Sequence, residues 1–377
     1  MHPAHWLRAY IDELASLPAL LCVLFVFFPA VAYLFACCGQ RRVVTAWADI
    51  RAAVAPGPVY RCPTVRFDIA IFALQLFLVM PTVGFVGSLY SAEAFAKLLM
   101  ARSGAAAFNL ALGHPLAAAL IQVFAAEVLG GFGAYIYHYA GHKTALFWSL
   151  HKVHHSAEAL SPFTMLRGHP IDTVLGIACS LCNRTLVIGA ALYFTGGQFA
   201  PLAVNILAVT TLAGLVQVAF NHTHVPLCHG WFNRIWVGPS FHHIHHSLEP
   251  RHRDKNLGGG VPVWDWIFGT MYLPRAGETY ALGLNEHEIG QANPHNSFQG
   301  YILAPMAEFG AELGKLARGA LAAFAAPNAA AVGRPRSAPR PRPPLRRAFA
   351  ADGCPDSAGR GRPVPGRWRR PPAHCGR

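Results

Sequence analysis

Residues 116–136 read LAAALIQVFAAEVLGGFGAYI, and residues 137–155 continue as YHYAGHKTALFWSLHKVHH. The first stretch has one charged side chain, Glu127, in 21 residues. At about 1.5 Å per residue, a helix of this length covers roughly 30 Å, the thickness of the hydrocarbon core of a bilayer. The second stretch contains five histidines. Together they predict a membrane-spanning helix that leads directly into a histidine-rich region.

Four other long apolar stretches accompany this one: Leu17–Cys38, Phe67–Leu89, Val174–Phe194 and Phe199–Phe220. The last two are separated by Thr195–Gln198, which contains two glycines and predicts a hairpin of two spans. Asn183 and Arg184 interrupt the first arm, and an arginine there indicates that this arm is kinked, shallow or packed against protein. We therefore expect an all-α integral membrane protein with about four to five transmembrane or re-entrant helices.

The sidedness follows from the arginines around the first span. Five arginines lie between residues 41 and 66, whereas the segment before Leu17 has Arg8 opposed by two acidic residues. The positive-inside rule then places the loop after the first span in the cytoplasm. Counting spans from that loop brings every histidine cluster to the cytoplasmic side, as a shared metal site requires.

The net charge of +13 is concentrated near the C-terminus, because residues 327–377 hold 12 arginines against Asp352 and Asp356. This tail is rich in proline, arginine, glycine and alanine, so we expect it to be disordered. Binding to RNA or to anionic lipid is an alternative for such a tail. A solvated extension is the simpler interpretation, and no nucleic-acid partner is expected. A chain with 53% hydrophobic and 13% charged residues is not typical of a soluble enzyme.

Fourteen of the 20 histidines lie between His138 and His252. They form one H-x-x-x-H box and two H-x-x-H-H boxes, which are His138–His142, His151–His155 and His242–His246. Positions i, i+3 and i+4 share a helical face, so each box can present several imidazoles in one direction. Imidazole binds iron, zinc and copper, and eight or more exceed the tetrahedral need of one zinc. The spacing predicts a two-metal centre.

Further motifs surround the boxes: Arg167-Gly-His169-Pro170, Gln217–Thr223, Pro239-Ser240, Asp254-Lys255-Asn256, Gly258-Gly259, Trp264-Asp265 and Phe268-Gly269-Thr270. In this order they resemble the motifs of the fatty acid hydroxylase superfamily, which includes the sterol desaturases. The resemblance extends from Tyr135 to Leu273. It implies a membrane-embedded di-iron oxygenase in which a cytosolic helical cap holds two iron ions, for which zinc can substitute.

The resemblance also implies a set of metal ligands: His138, His142, His151, His154, His155, His242, His245 and His246, with His222 as a further ligand. His169 would be an additional ligand or a neighbour of the ligands. His243 occupies a non-ligand position of its box, and His224 has no counterpart in the family pattern.

The implied reaction is O2-dependent hydroxylation, or desaturation as its variant, of a membrane lipid, fatty acyl chain or sterol. Oxidising an unactivated C–H bond needs an oxidant that side chains alone cannot provide. The sequence has no dinucleotide fingerprint and no haem-attachment motif, so we expect electrons from a separate cytochrome- or ferredoxin-type protein. Lys143, Lys152 and Arg167 would dock an acidic donor or contact lipid headgroups. The aromatic residues near boxes one and two either line a lipid groove or pack in the core; they are Phe132, Tyr135, Tyr139, Trp148 and Phe163.

Three alternatives remain open. A histidine-rich metal transporter would place its ligands near the middle of the membrane, whereas the boxes lie outside the predicted spans. A scaffold could keep the fold without activity. The acyl-lipid desaturases also have three boxes, although the eight-residue gap between His142 and His151 resembles the hydroxylase family better.

The chain divides by sequence into four predicted regions: residues 1–66 with the first span and basic loop, 67–273 with the hydroxylase domain, 274–326 with a C-terminal helical region, and 327–377 with the tail.

Overall fold

The computed structural model describes residues 28–40, 45–76, 91–104, 109–225, 227–228, 230–275, 278, 280–284 and 293–325. The predicted tail 327–377 lies outside these residues. Within them the only extended pairing is an isolated bridge between Ser247 and Leu282, which confirms the all-α fold class. The 13 α-helices of the described part are α1 Phe28–Gln40, α2 Trp47–Val54, α3 Gly57–Tyr60, α4 Pro63–Leu74, α5 Ala92–Ser103, α6 Pro115–Phe124, α7 Gly131–Lys143, α8 Ala145–His155, α9 Pro170–Phe194, α10 Pro201–Asn221, α11 Pro239–His245, α12 Val263–Ile267 and α13 Ala304–Ala325.

Three helical stretches are long and apolar enough to cross a membrane: Pro115–Lys143, Pro170–Phe194 and Pro201–Asn221. Each starts with a proline, which suits the first turn of a helix because its missing N–H would have no partner there. They match three of the five predicted spans. The predicted spans Leu17–Cys38 and Phe67–Leu89 lie partly outside the described residues.

The first of these stretches is interrupted by a π-helical turn, Ala125–Leu129, between α6 and α7. Such a turn frees backbone carbonyls from the helical ladder. The Asn183 side chain donates to the carbonyls of Leu129 and Gly130 at 2.8 and 3.1 Å, and the Trp264 indole donates to Val128 at 2.9 Å. The side chain of Asn183 therefore faces protein, whereas the interpretation of Arg184 stays a prediction.

Helix α9 packs closely against α7 and α5. At Gly133, an added Cβ would lie 2.7 Å from Cβ of Asn183 and 2.8 Å from the carbonyl oxygen of Cys179. Only glycine allows α7 and α9 to approach this closely.

The hairpin loop between α9 and α10 is confirmed at Thr195–Gln198. Gly196 and Gly197 have positive φ angles of 107° and 85°, which favour glycine. The buried Gln122 of α6 donates to Thr195 Oγ1 at 2.8 Å and to the carbonyl of Gln198 at 3.0 Å. Its side-chain oxygen accepts from the backbone of Ala200 at 2.9 Å, so one glutamine fixes the loop to α6.

The chain forms two compact units. The first includes the described residues up to Leu313, and the second begins at Gly314, within α13. All elements of the site described below belong to the first unit. The predicted boundaries near residues 66 and 273 stay predictions.

Candidate metal centre

The histidines of the three boxes lie at one end of the apolar stretches. Box one occupies the last turns of α7, box two the last turns of α8, and box three lies in and directly after α11. His222 follows the end of α10. Thr144 ends α7 and caps α8, because its hydroxyl accepts from the backbone of Phe147 at 3.3 Å. The first two boxes are thereby brought together by a single-residue connection.

Nine of the ten predicted ligands converge in two groups, and within each group the ligand nitrogens lie within 4.8 Å of one another. We call them the five-histidine group and the four-histidine group. The first comprises His138, His142, His151, His155 and His245, and the second His154, His222, His242 and His246. The groups adjoin each other, since the rings of His155 and His246 have centroids 4.7 Å apart.

In the five-histidine group, the hydrogen bond at one ring nitrogen determines whether the other nitrogen carries a proton or a lone pair. The Nδ1 atoms of three members face acceptors: His138 faces the Leu257 carbonyl at 2.7 Å, His151 faces Asp172 at 3.0 Å and His245 faces the Lys255 carbonyl at 3.1 Å. Because carbonyls and carboxylates only accept, Nδ1 carries the proton and the neutral ring keeps a lone pair on Nε2. The Nε2 atoms of all five members are buried and have no hydrogen-bond partner.

The four-histidine group shows the same arrangement. His154 donates from Nδ1 to the Arg167 carbonyl at 3.0 Å, and His222 to the Val218 carbonyl at 2.8 Å. Their Nε2 atoms nevertheless face each other at 3.3 Å, so two lone pairs meet where no proton is available to bridge them. Nε2 of His242 lies 2.9 Å from that of His222 and 3.1 Å from that of His246. A bound cation would relieve this repulsion, so the donor set of each group fits a metal ion.

The protonation states also fit metal binding. Burial, together with the neighbouring imidazoles, lowers the pKa well below the usual range for five box histidines outside the spans: His154, His155, His242, His245 and His246. Burial lowers the pKa of His222 to about 4. These rings are therefore neutral at pH 7, which is the form that ligates a metal.

Three other histidines near the boxes, His169, His224 and His243, lie outside both groups. His169 caps α9, because its Nδ1 accepts from the backbone of Ile171 at 3.2 Å while Nε2 donates to the Ile302 carbonyl at 3.1 Å. His243 donates to the Thr223 carbonyl at 2.9 Å, and His224 to the Ala53 carbonyl at 3.0 Å. Both nitrogens of His169 are thus in use away from the two groups.

Two acidic residues that sequence reasoning did not assign to the site support its histidines. Asp172 accepts from His151 and, at 2.6 Å, from the hydroxyl of Tyr137. Asp254 lies 3.6 Å from Nδ1 of His142 and forms an ion pair with Lys143. Contact with His142, and the hydrogen bond from Lys143, lower the pKa of Asp254 to about 2. The signal for Asp172 in the sequence was its position, since it lies two residues after His169-Pro170, at the start of a helix.

The structure corrects the interpretation of Arg167 as a docking residue. Its side chain is fully buried and pairs with Asp68 at 2.6 Å, so it reaches neither a donor protein nor lipid. Lys143 and Lys152 are paired with Asp254 and Glu308. Among the aromatic residues, Tyr135 is buried and its hydroxyl lies 2.9 Å from Thr270 Oγ1, which is a packing role.

A cleft of about 650 Å³ opens onto both histidine groups. Its lining includes four of the clustered histidines: His142, His155 and His245 of the five-histidine group and His246 of the four-histidine group. Trp148, Leu248 and Leu284 supply apolar walls, whereas Ser247 and Arg253 are polar. The cleft is large enough to hold an acyl-chain segment beside the imidazoles.

Comparisons with known proteins match the part of the chain that contains both histidine groups. The family model of the fatty acid hydroxylases matches residues 123–270. The chain is 29% identical to the alkylglycerol monooxygenase of Caenorhabditis elegans over 159 residues, which are 42% of this chain and 28% of the relative. It is 30% identical to the human alkylglycerol monooxygenase over 167 residues, 43% of this chain and 33% of the relative.

The chain thus spans about a third of the length of these relatives or less. No solved structure matches it significantly. The residues matched by the family model enclose all nine clustered histidines. By this match, residues 123–270 are similar to a fatty acid hydroxylase domain.

Proposed function

We propose that this protein is a membrane-bound lipid hydroxylase in which the two histidine groups hold two iron ions. The observation that carries the proposal is the convergence of nine imidazoles at one end of three apolar helices, with unpartnered Nε2 atoms in the five-histidine group. The bound irons would supply the reductive activation of O2 that oxidation of an unactivated C–H bond requires.

The residues of the chain have separate tasks in this scheme. The nine histidines would hold the metals. The acceptors that face Nδ1 of five of them keep these rings in the ligating tautomer; the five are His138, His151, His154, His222 and His245. The apolar walls of the cleft would orient the lipid chain beside the ligands and limit the access of water. The overall balance is R–H plus O2, two electrons and two protons giving R–OH and water.

The substrate class follows from the placement of the site and from the relatives. A cleft at the ends of apolar spans suits a lipid with a long alkyl or acyl chain, although a sterol also fits this description. The relatives are named monooxygenases of alkylglycerols, which favours hydroxylation over desaturation and an alkyl chain over a sterol. We place the site on the cytoplasmic side and expect a separate cytochrome- or ferredoxin-type protein as the electron donor.

A metal transporter is the second candidate, because nine clustered histidines would also suit metal transfer. Its ligands would lie near the middle of the spans. The end-of-helix position of the boxes favours the hydroxylase. Uptake of zinc or iron into sealed proteoliposomes distinguishes the two, since a hydroxylase would not move metal into the vesicle.

The hydroxylase proposal is tested with purified protein loaded with Fe(II), supplied with a chemical or enzymatic reductant and isotope-labelled O2. A panel of alkylglycerols, fatty acids and sterols is screened for labelled alcohol by mass spectrometry, and bound iron is measured in parallel. We expect one lipid class to incorporate label. We also expect His154→Ala and His245→Ala to lose bound iron and product while still inserting into membranes.

The matched control is His243→Gln. His243 lies in the same box and is buried, but it belongs to neither group, and a glutamine amide can still donate to the Thr223 carbonyl. This variant should keep iron and activity. Unchanged product in both alanine variants would refute the proposal.

A further inference from the structure

Six large apolar side chains are exposed in two segments of the described region between α10 and residue 275, which we call the cap. They are Trp231, Phe232, Ile235, Trp266, Ile267 and Phe268, and we call them the aromatic ridge. Trp231 is 69% exposed, Ile267 62% and Trp266 56%. Exposed apolar side chains concentrated in this way are typical of surfaces that contact a protein or a membrane.

The two segments of the ridge are joined near their bases. The backbone of Val237, which follows the first segment, donates to the carbonyl of Gly260 at 3.0 Å, just before the second. Gln217 of α10 donates to the carbonyls of Val237 and Gly260 at 2.7 and 3.5 Å. The ridge is therefore held to the cap end of an apolar helix rather than carried on an isolated loop.

The second segment, α12 with Phe268, lies alongside the first apolar stretch. The Trp264 indole donates to the Val128 carbonyl, and the rings of Trp264 and Phe132 have centroids 4.6 Å apart. Phe268 stacks on Tyr135 with centroids 5.3 Å apart. These contacts place α12 beside residues 128–135 of that stretch, well before the histidines at its end.

The length of Pro115–Lys143 indicates how deep in the membrane this contact lies. Pro115–Lys143 has 29 residues, which at 1.5 Å per residue is about 43 Å, whereas a hydrocarbon core is about 30 Å thick. A span that enters the core near Pro115 leaves it near Ala134, after about 20 residues. Val128 and Phe132 then lie inside the cap-side boundary of the core, and the exposed side of α12 lies at the depth of the lipid headgroups and upper acyl chains.

We propose that the aromatic ridge is an in-plane membrane anchor that seats the cap in the interfacial layer of the bilayer. This inference rests on the membrane placement in the proposed function. Tryptophan prefers this layer because its ring is apolar while its N–H remains hydrogen-bonded. The exposed Arg234, beside Trp231 and Phe232, is suited to contact lipid phosphates. The anchor would hold the histidine end of α7 at a fixed height above the acyl chains.

The test uses the full chain in phosphatidylcholine nanodiscs that contain a lipid with a photoactivatable diazirine in its acyl chain. After irradiation, the labelled peptides are mapped by mass spectrometry. We expect labelling of the peptides that contain Trp231–Ile235 and Trp266–Phe268, as well as of the apolar spans.

A substitution sharpens the test. Ile267→Glu places a charge on the exposed side of α12 and should reduce lipid labelling of that peptide severalfold, without changing the melting temperature in detergent. Labelled spans together with an unlabelled ridge in the wild type would overturn the proposal. So would a dimer in detergent that Ile267→Glu dissociates, because the ridge would then be covered by a second copy. Lipid labelling needs neither bound metal nor turnover. A failure of the anchor proposal can therefore be distinguished from a failure of the hydroxylase proposal.

Discussion

At the candidate metal centre, hydrogen bonds at Nδ1 orient several of the imidazoles. The His151–Asp172 contact is the one in which a carboxylate rather than a carbonyl faces a histidine of the five-histidine group within hydrogen-bond distance. The negative charge raises the electron density available from Nε2, and such outer contacts commonly change metal affinity by about 10- to 100-fold. Asp172→Asn keeps the shape but removes the charge. We expect it to weaken Fe(II) or Zn(II) binding by about that factor in a chelator competition.

Tyr137→Phe serves as the comparison for Asp172→Asn. It removes the hydroxyl that donates to the same carboxylate but leaves the His151 contact intact. Its affinity should stay within about threefold of the wild type, since the hydroxyl is uncharged and its loss leaves the negative charge of Asp172 beside His151. Equal affinities of the wild type and Asp172→Asn would contradict the role assigned to the carboxylate.

His169 provides a second prediction for a single residue. Because its Nδ1 caps α9 and its Nε2 bonds to Ile302, His169→Ala should keep both metal ions and lower stability by about 1 kcal/mol. Metal analysis and thermal unfolding measure the two effects separately. His169→Asn, which can still cap the helix, should recover part of the melting temperature. Loss of one metal equivalent in His169→Ala would instead make it a ligand.

The helices show how far the sequence determines the site. The i, i+4 pairs stay in one group: His138 with His142, His151 with His155, and His242 with His246. One helical turn places such rings on the same side, so their pairing was predictable. The middle histidine of each H-x-x-H-H box, His154 or His245, belongs to the other group. That crossing depends on how α7, α8 and α11 pack together, which a local repeat does not encode.

Arg167 was misread for a related reason. Its partner Asp68 is 99 residues away, so the sequence showed a basic residue beside a histidine box and no counter-ion. The guanidinium also donates to the Val153 carbonyl, Ser156 Oγ and Asn296 Oδ1 at 3.1, 2.8 and 2.9 Å. It joins α4, the end of α8 and the segment before α13. The long apolar helices, in contrast, follow from their composition alone.

The Arg167–Asp68 pair yields a prediction about these elements. Arg167→Met leaves the buried Asp68 carboxylate without its cation, and removing one partner of a buried pair typically costs about 3–5 kcal/mol. Removing both charges in Arg167→Met with Asp68→Leu should restore part of the loss, although the Ser156 and Asn296 contacts remain broken. Thermal unfolding in one detergent ranks the variants. A double variant less stable than Arg167→Met would contradict this account.

For the whole molecule, the unpartnered imidazoles predict a strong dependence of stability on metal. A ligand that binds only the folded state at about 1,000 times its Kd adds about 4 kcal/mol. Stripping the protein with a chelator should therefore lower the melting temperature by several degrees, and Fe(II) or Zn(II) should restore it. His154→Ala should respond less to the chelator, because the four-histidine group is incomplete. A chelator-insensitive wild type would indicate that the histidines hold no metal.

The direction of the apolar stretches leads to a prediction about topology. The histidines lie at the C-terminal end of Pro115–Lys143, near the N-terminal end of Pro170–Phe194 and after the C-terminal end of Pro201–Asn221. The alternation places the hairpin loop Thr195–Gln198 on the opposite side of the membrane.

Gln198 and Arg251 are both exposed, so Gln198→Cys and Arg251→Cys can report the two sides against the wild-type labelling background. With a membrane-impermeant maleimide on intact cells, position 198 should react, and position 251 should react only after permeabilisation. Equal reactivity of both positions in intact cells would exclude three spans that alternate in direction, and the reverse pattern would place the metal centre outside the cytoplasm.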